Sequence, residues 1–462
     1  MSTHKEIHFE DEICQYLGAH GWIYSAGDAA EYDRARALFP GDVLAWVRDS
    51  QPKEWQALTK NLGSKAGETL LNRLRDQLDQ RGTLDVLRHG IELLGLKQPL
   101  KLVEFKPALA INADIVARYH QNRLRVVRQV RYSQHSENSI DLVLFLNGLP
   151  VATVELKTDF TQSVGDAIDQ YRFDRPPHPK GQAREPLLSF PGGALVHFAV
   201  SNREVHMTTR LQGPQTEFLP FNQGDGGGAG NPLNPSGGHR TAYLWEQIWA
   251  RDSWLEILGR YLIAKRDKKK QIERVLFPRY HQLDVTRKLQ AAILSDGPGG
   301  RYLVQHSAGS GKTNSIAWTA HFLAELHDAS HQKIFDSILV VSDRNVIDTQ
   351  LQEAVFDFQR TTGVVETITS KEGSKSSKLA EALSGDKKIV VCTIQTFPRA
   401  IEAVRQLSAT QGKRFAVIAD EAHSSQSGEA AKQLKAVLTT EEAAELADGG
   451  EVSSEDILAA QM

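Results

Sequence analysis

Apolar positions along this chain of 462 residues change their spacing several times, and each change marks an element. Over residues 7–22, Phe9, Ile13, Tyr16 and Leu17 recur at the interval of one helix face, and Gly21 supplies a stop. Glu10, Asp11 and Glu12 fall near the start of that helix, where its dipole favours acids. Residues 28–98 continue in a helical pattern, with Trp46, Trp55, Leu58, Leu71, Leu74, Leu78 and Leu87 as expected core. The period then drops to two. Residues 124–132, 140–146 and 151–157 read as strands, and Asn147-Gly148 is a hairpin signal between the last two. Residues 161–173 return to a helix that Pro176, Pro177 and Pro179 end. Residues 194–201 and 205–209 read as two further strands.

Residues 213–238 break the pattern with GDGGGAGNPLNPSGG, rich in chain breakers and poor in core formers. That stretch reads as a linker and divides the chain into residues 1–238 and 239–462. Past it, residues 243–262 predict a helix with Trp245, Trp249 and Leu258 on one side. Residues 265–270, KRDKKK, read as a solvated face or a nucleic-acid rim. From residue 302 onward, short apolar runs alternate with helical patterns through residue 423. That alternation predicts an α/β domain with a doubly wound, mostly parallel sheet and ligands at the carboxyl ends of its strands.

Composition adds little to this picture. Apolar content of 40% and charged content of 24% suit a soluble chain, and the length suits about three average domains. The 54 basic and 57 acidic residues give a net charge of −3, so any nucleic-acid contact must use local patches. Cys14 and Cys392 sit in apolar surroundings and predict a reducing compartment. No signal peptide and no apolar run near 18 residues is present, so a cytoplasmic location is expected.

Two stretches carry chemistry. YLVQHSAGSGKTN, residues 302–314, reads as a short strand (302–304), a Gly/Ser loop and a helix start. Gly309, Ser310 and Gly311 let backbone N–H groups face a phosphate. Lys312 can reach the β/γ-phosphates and Thr313 can hold Mg²⁺. His306 stands where the strict loop pattern has glycine. In FAVIADEAH, residues 415–423, a strand delivers Asp420 toward Mg²⁺ and Glu421 toward an attacking water. His423 reads as a link between nucleotide state and nucleic-acid contact. Ahead of the loop, FPRYHQLDVTRKLQ places Gln282 to read the adenine edge of ATP, unless the segment is only a capped helix start.

The second stretch is the hairpin with Asp141 and Glu155-Leu156-Lys157. A carboxylate in an apolar strand is costly unless it coordinates or pairs. Asp141 and Glu155 can hold one or two Mg²⁺ ions against a phosphodiester, and Lys157 can position water or steady developing charge. A strict two-residue turn at Asn147-Gly148 would put the two carboxylates on opposite faces. A shared metal therefore requires a three-residue turn, Asn147-Gly148-Leu149, or a bulge that gives the same shift. Gln170, Tyr171 and Arg172, on the next helix, can touch DNA backbone or brace the metal site.

These motifs resemble the N-terminal part of the restriction (motor and nuclease) subunit of type I restriction–modification enzymes. SAGSGKT, VVSDRNVIDTQL, TIQTF and DEAH match the first motor motifs of superfamily 2 translocases, and DLVLFLNGLPVATVELK matches a nuclease core of the PD-(D/E)XK type. The resemblance implies a PD-(D/E)XK-type nuclease domain followed by a RecA-like P-loop motor domain, with the second motor domain absent. It assigns Asp141, Glu155 and Lys157 to DNA cleavage and lays Arg344 and Gln350 beside the DNA path. It implies Mg²⁺ and ATP as cofactors, double-stranded DNA as substrate, and methyltransferase and specificity subunits as partners. Nucleases of this class often carry a glutamine with a tyrosine four residues later. Here Gln170 has Asp174 at that spacing, and Tyr171 is adjacent. Two other readings stay open: a nuclease–helicase fusion in repair or phage defence, and a non-catalytic DNA-docking module.

Overall fold

The structure is a computed structural model that describes residues 2–107, 109, 111–158, 162–342, 351–356, 358, 364–367, 382, 387–393 and 412–420. The chain divides into two compact units, Met1–Tyr280 and His281–Met462. The division expected after residue 238 does not coincide with this one. Residues 239–280 pack into the first unit, where Trp249, Trp254 and Phe277 surround Phe198. Large aromatic side chains of this kind are core material, and here they bind the segment to the preceding sheet. No helix of the described residues is long and apolar enough to cross a membrane.

In the first unit, α1 (Ser2–Ala19) leads to α2 (Pro40–Ser50), α3 (Pro52–Leu62), α4 (Ala66–Arg81), α5 (Thr83–His89) and α6 (Ala113–Gln121). Proline opens both α2 and α3, where its missing N–H costs nothing. Asn112 caps α6 by accepting the N–H groups of Asp114 and Ile115. The sheet follows: β1 (Leu124–Arg131), β2 (Ser139–Leu146), β3 (Leu149–Leu156), β4 (Val196–Val200), β5 (Val205–Thr208) and β6 (Leu219–Pro220), side by side in that order. All pairs are antiparallel except β3 with β4. The crossover between them carries α7 (Val164–Asp169), opened by a reciprocal Ser163–Asp166 cap, and a π-helical turn over Gln170–Asp174. The region expected as one helix over 243–262 is instead α8 (Arg251–Glu256) between two π-helical turns. The basic run forms the turn of a hairpin, β7 (Ile263–Arg266) with β8 (Ile272–Leu276).

The hairpin turn that sets the register is buried. Asn147 and Gly148 adopt φ of 49° and 83°, as a two-residue primed turn requires. Asn147 is fully enclosed, with its amide donating to the Leu102 carbonyl and to Asn122, while its oxygen accepts from the Arg123 N–H. The Gly148 carbonyl accepts from Phe39 N–H. These polar groups of the turn tip are thereby paired inside the protein, as burial demands. Beside it, Arg125 is held by Asp28 and Asp42 and lies over the Phe39 ring.

In the second unit, α9 (Tyr280–Asp296), whose first residue belongs to the first unit, precedes the Gly/Ser loop, and α10 (Lys312–Ala324) follows it. Four parallel strands lie in the order β10 (Val365–Thr367), β11 (Ile389–Thr393), β9 (Ser337–Ser342), β12 (Phe415–Ala419). The α/β alternation expected from the apolar runs is present in these elements. The strand expected at 302–304 is not formed: Tyr302, Leu303 and Val304 are 40%, 84% and 41% exposed. Three residues between Gly299-Gly300 and a polar loop are too few to hold an extended edge without a paired neighbour.

Candidate functional site

The β2–β3 pairing decides whether Asp141 and Glu155 can act together. At the turn, Leu146 faces Leu149 and Phe145 faces Pro150. Past a bulge, Leu144 faces Ala152, Val143 faces Thr153 and Leu142 faces Val154. One further step in that register brings Asp141 opposite Glu155. The three-residue turn expected from the chemistry is absent. A two-residue turn followed by a bulge makes the shift instead, the alternative that the same chemistry allows. Pro150, which offers no N–H to a ladder, lies beside the irregularity.

The two carboxylates meet at the mouth of the hairpin. Asp141 accepts the Leu156 N–H at 2.7 Å through Oδ2 and the Gln129 amide at 3.3 Å through Oδ1. Glu155 is fully buried and accepts from Arg175 Nε at 2.9 Å through Oε1. Its Oε2 is buried with no donor group on it, and the Asp141 carboxyl lies within hydrogen-bond reach of the Glu155 carboxyl. Burial and then the charge of Asp141 push the Glu155 carboxyl well above its usual range, against the pull of Arg175 and Lys157. Lys157, buried, lies 3.7 Å from Glu6.

Four residues around this pair were not foreseen. Glu6 and Glu10 reach it from α1. Burial first and Asp141 second raise the Glu10 carboxyl to about 7, although Gln129 and Arg128 bond to it. Burial also raises Glu6, opposed by Lys157. Gln129 adopts a φ of 49° and joins Glu10, Asp141 and Ser139 through its carboxamide. A strained, non-glycine backbone beside such a cluster is characteristic of functional sites. Arg175 is the fourth. The expectation that Glu10, Asp11 and Glu12 sit at a helix start does not hold, because α1 begins at Ser2 and has no acid in its first turn, so Glu10 lies mid-helix. No sequence signal marks Gln129, and only the mid-sheet acids hint that a cation such as Arg175 is needed.

Tyr171 is fully buried, with its hydroxyl 2.8 Å from Thr153 Oγ1, which also meets His197 Nδ1 at 2.7 Å. A side chain so enclosed does not reach a DNA backbone, and its position is that of a brace. Arg172 donates to the Thr216 carbonyl, and Gln170 keeps a buried oxygen without a partner. Among the described residues no group of three or more His, Cys, Asp or Glu side chains is disposed to hold a metal ion. The Asp141–Glu155 pair nonetheless fits Mg²⁺, which takes one or two carboxylates and keeps water on its other positions. Glu155 Oε2, with no donor on it, is a hard oxygen of the kind that ion takes.

In the second unit, Gly309 and Gly311 have φ of 73° and 83°, and Gly311 caps α10. Lys312 and Thr313 open that helix, whose N-terminal N–H groups favour an anion. Gln282 is buried, with its amide donating to the Gly311 carbonyl at 3.1 Å. His281 meets the Ser310 carbonyl at 2.9 Å and stacks edge-on with His306. Burial, then His281 and Lys312, lower the His306 pKa. Ser310 Oγ is buried without a partner. Asp420 follows β12 at its carboxyl end, and its N–H donates to the Val341 carbonyl of β9. Arg344, Gln350, Glu421 and His423 lie outside the described residues.

Comparison with known proteins agrees with this division. Residues 6–216 match the family described as type I restriction enzyme R protein N terminus, and residues 281–446 match the SWI2/SNF2 ATPase family. Two proteins of Methanocaldococcus jannaschii align with nearly the whole chain. One, named as the type I restriction enzyme MjaVIIIP endonuclease subunit, is 21% identical over 470 residues, which cover 94% of this chain and 41% of its own. The other, named as the MjaIXP endonuclease subunit, is 22% identical over 457 residues, covering 92% and 40%. The chain thus spans about two fifths of the length of the curated relatives it matches. Among solved structures, the UvsW helicase from bacteriophage T4 aligns with 41% of this chain and 65% of its own, at 13% identity and a TM-score of 0.25.

Proposed function

We propose, for a chain that carries the N-terminal region of a type I restriction enzyme R protein ahead of a SWI2/SNF2-type ATPase segment, that it is the Mg²⁺-dependent nuclease and ATP-driven motor part of such an enzyme. The observation that carries this reading is the bulged register that sets Asp141 against Glu155 and leaves Glu155 Oε2 without a donor. The six-stranded sheet is then read as a nuclease of the PD-(D/E)XK type. Magnesium, when bound between these carboxylates, supplies Lewis acidity toward a phosphodiester oxygen and an acidified water. Lys157 would orient an attacking water and stabilise negative charge growing on the phosphate. The Asp141 and Glu155 carboxylates compensate the ion in a site that excludes solvent from Glu155.

In the motor, Lys312 steadies the phosphates of ATP, Thr313 and Asp420 take Mg²⁺, Gln282 lies toward the base, and Glu421 activates water. Arg344 and Gln350 run beside the DNA, Gln170 and Arg172 lie toward it on the nuclease side, and His423 relays nucleotide state. The assembly includes methyltransferase and specificity subunits and acts on double-stranded DNA. Two substitutions in the assembled enzyme test the reading. Asp141→Ala is expected to stop DNA cleavage and leave DNA-stimulated ATP hydrolysis in place. Lys312→Ala is expected to stop hydrolysis and translocation. Cleavage at the wild-type rate by folded Asp141→Ala rejects the nuclease centre, and hydrolysis at the wild-type rate by Lys312→Ala rejects the phosphate loop.

A further inference from the structure

We propose that Arg175 is the positioning residue of the Asp141–Glu155 centre: its guanidinium fork holds Glu155 Oε1 and the Ser139 carbonyl, leaving Glu155 Oε2 for a divalent cation shared with Asp141. This inference rests on the nuclease reading and assigns the tasks within it.

The geometry is specific. Arg175 Nε donates to Glu155 Oε1 at 2.9 Å, and Nη2 donates to the Ser139 carbonyl at 2.9 Å. Ser139 is two residues before Asp141 on β2, and Glu155 is on β3. One planar group therefore ties together the two strands that carry the carboxylates. Arginine suits this role because its fork of donors is rigid, whereas a lysine ammonium is a single point on a flexible stem. The base of Arg175 is itself fixed. It directly follows the π-helical turn over Gln170–Asp174, and Tyr171 within that turn bonds Thr153 on β3, two residues before Glu155.

The nearby cations are committed elsewhere. Lys157 pairs with Glu6, and Arg128 pairs with Glu10 and Asp11. Among the described residues, Arg175 is the cation hydrogen-bonded to Glu155. Glu155 is fully buried, and an enclosed carboxylate with one oxygen held and no donor on the other has only one direction left in which to bind. Partners of ligand groups commonly set metal affinity, and their loss costs about 10–100-fold.

The test uses the full chain and Mn²⁺ as the probe, titrated by electron paramagnetic resonance. Wild type is expected to bind Mn²⁺ at a site that Asp141→Asn abolishes. Arg175→Gln is expected to weaken that binding about 10–100-fold and to alter the bound-ion spectrum. Arg175→Lys, which keeps charge near Glu155 but cannot span both strands, is expected to fall between the two. Melting without metal monitors the fold, and should Arg175→Gln fail to fold, the lysine variant carries the test. A folded Arg175 variant with wild-type affinity and spectrum overturns the role of Arg175 and leaves the nuclease reading standing. Wild-type Mn²⁺ binding that is absent, or indifferent to Asp141→Asn, overturns both.

Discussion

Two apolar runs lead into the two candidate sites, and they end differently. In β3 all eight residues of Leu149–Leu156 are buried, paired with β2 on one side and β4 on the other. Tyr302–Val304, which leads into the phosphate loop, is exposed and unpaired among the described strands. Both runs are apolar and both precede a candidate site. Neighbouring strands on both edges make the first a strand, because β preference measures fit to a half-buried surface more than backbone taste. The two sites differ accordingly. The hairpin site consists of side-chain charges held by other charges inside a sheet. The loop site consists of backbone, with left-handed glycines at Gly309 and Gly311.

Glycine substitutions sharpen that contrast. A Cβ at Gly148 would meet the Phe39 carbonyl oxygen at 2.5 Å and Val43 N at 2.8 Å, at a φ of 83°. Gly148→Ala is expected to destabilise the first unit by about 3 kcal/mol, through strain and through contact with backbone that cannot give way. Chemical denaturation measures it, and a loss below about 1 kcal/mol means the turn does not anchor the register. A Cβ at Gly309 meets nothing within 4 Å, although φ is 73°. Gly309→Ala is expected to cost only the left-handed penalty of about 1–2 kcal/mol, a smaller loss on melting than that of Gly148→Ala. Equal effects of the two substitutions on melting would erase the distinction between the sites.

A further expected effect is a pH dependence at the hairpin site. Glu10 is raised to about 7 by burial and by Asp141. A carboxyl whose folded pKa lies above its unfolded value keeps its proton longer in the folded chain. Its contribution to stability is then full below about 4.5 and is lost as pH rises through about 7. Without divalent cation, the melting temperature of the wild type is expected to fall over that window, and Glu10→Gln is expected to flatten part of the fall. An unchanged slope in Glu10→Gln places the raised carboxyl elsewhere.

Much of the hairpin site was legible in sequence. Asn147-Gly148 marked the turn, the acids of β2 and β3 marked a candidate site, and the requirement that they share a face called for a bulge or a longer turn. Which of the two occurs was not legible, because Asn147 is fixed by Leu102, Arg123 and Asn122, and Gly148 by Phe39, contacts that only the folded chain brings together. Glu6, Glu10, Gln129 and Arg175 were missed for the same reason. Glu10 and Gln129 are 119 residues apart in sequence and 2.8 Å apart at their hydrogen bond. The aromatic group around Trp249 packs on Phe198 within the first unit, so the division does not follow the linker composition.

The central claim is that the bulged hairpin brings Asp141 and Glu155 together to hold one hard cation. Anomalous diffraction from crystals of the full chain soaked in Mn²⁺ tests it most directly. The account predicts an anomalous peak about 2 Å from Asp141 and from Glu155 Oε2, with Arg175 still on Oε1. Mn²⁺ peaks elsewhere in the crystal with none at these two carboxylates, or the two side chains on opposite faces of the sheet, would contradict it.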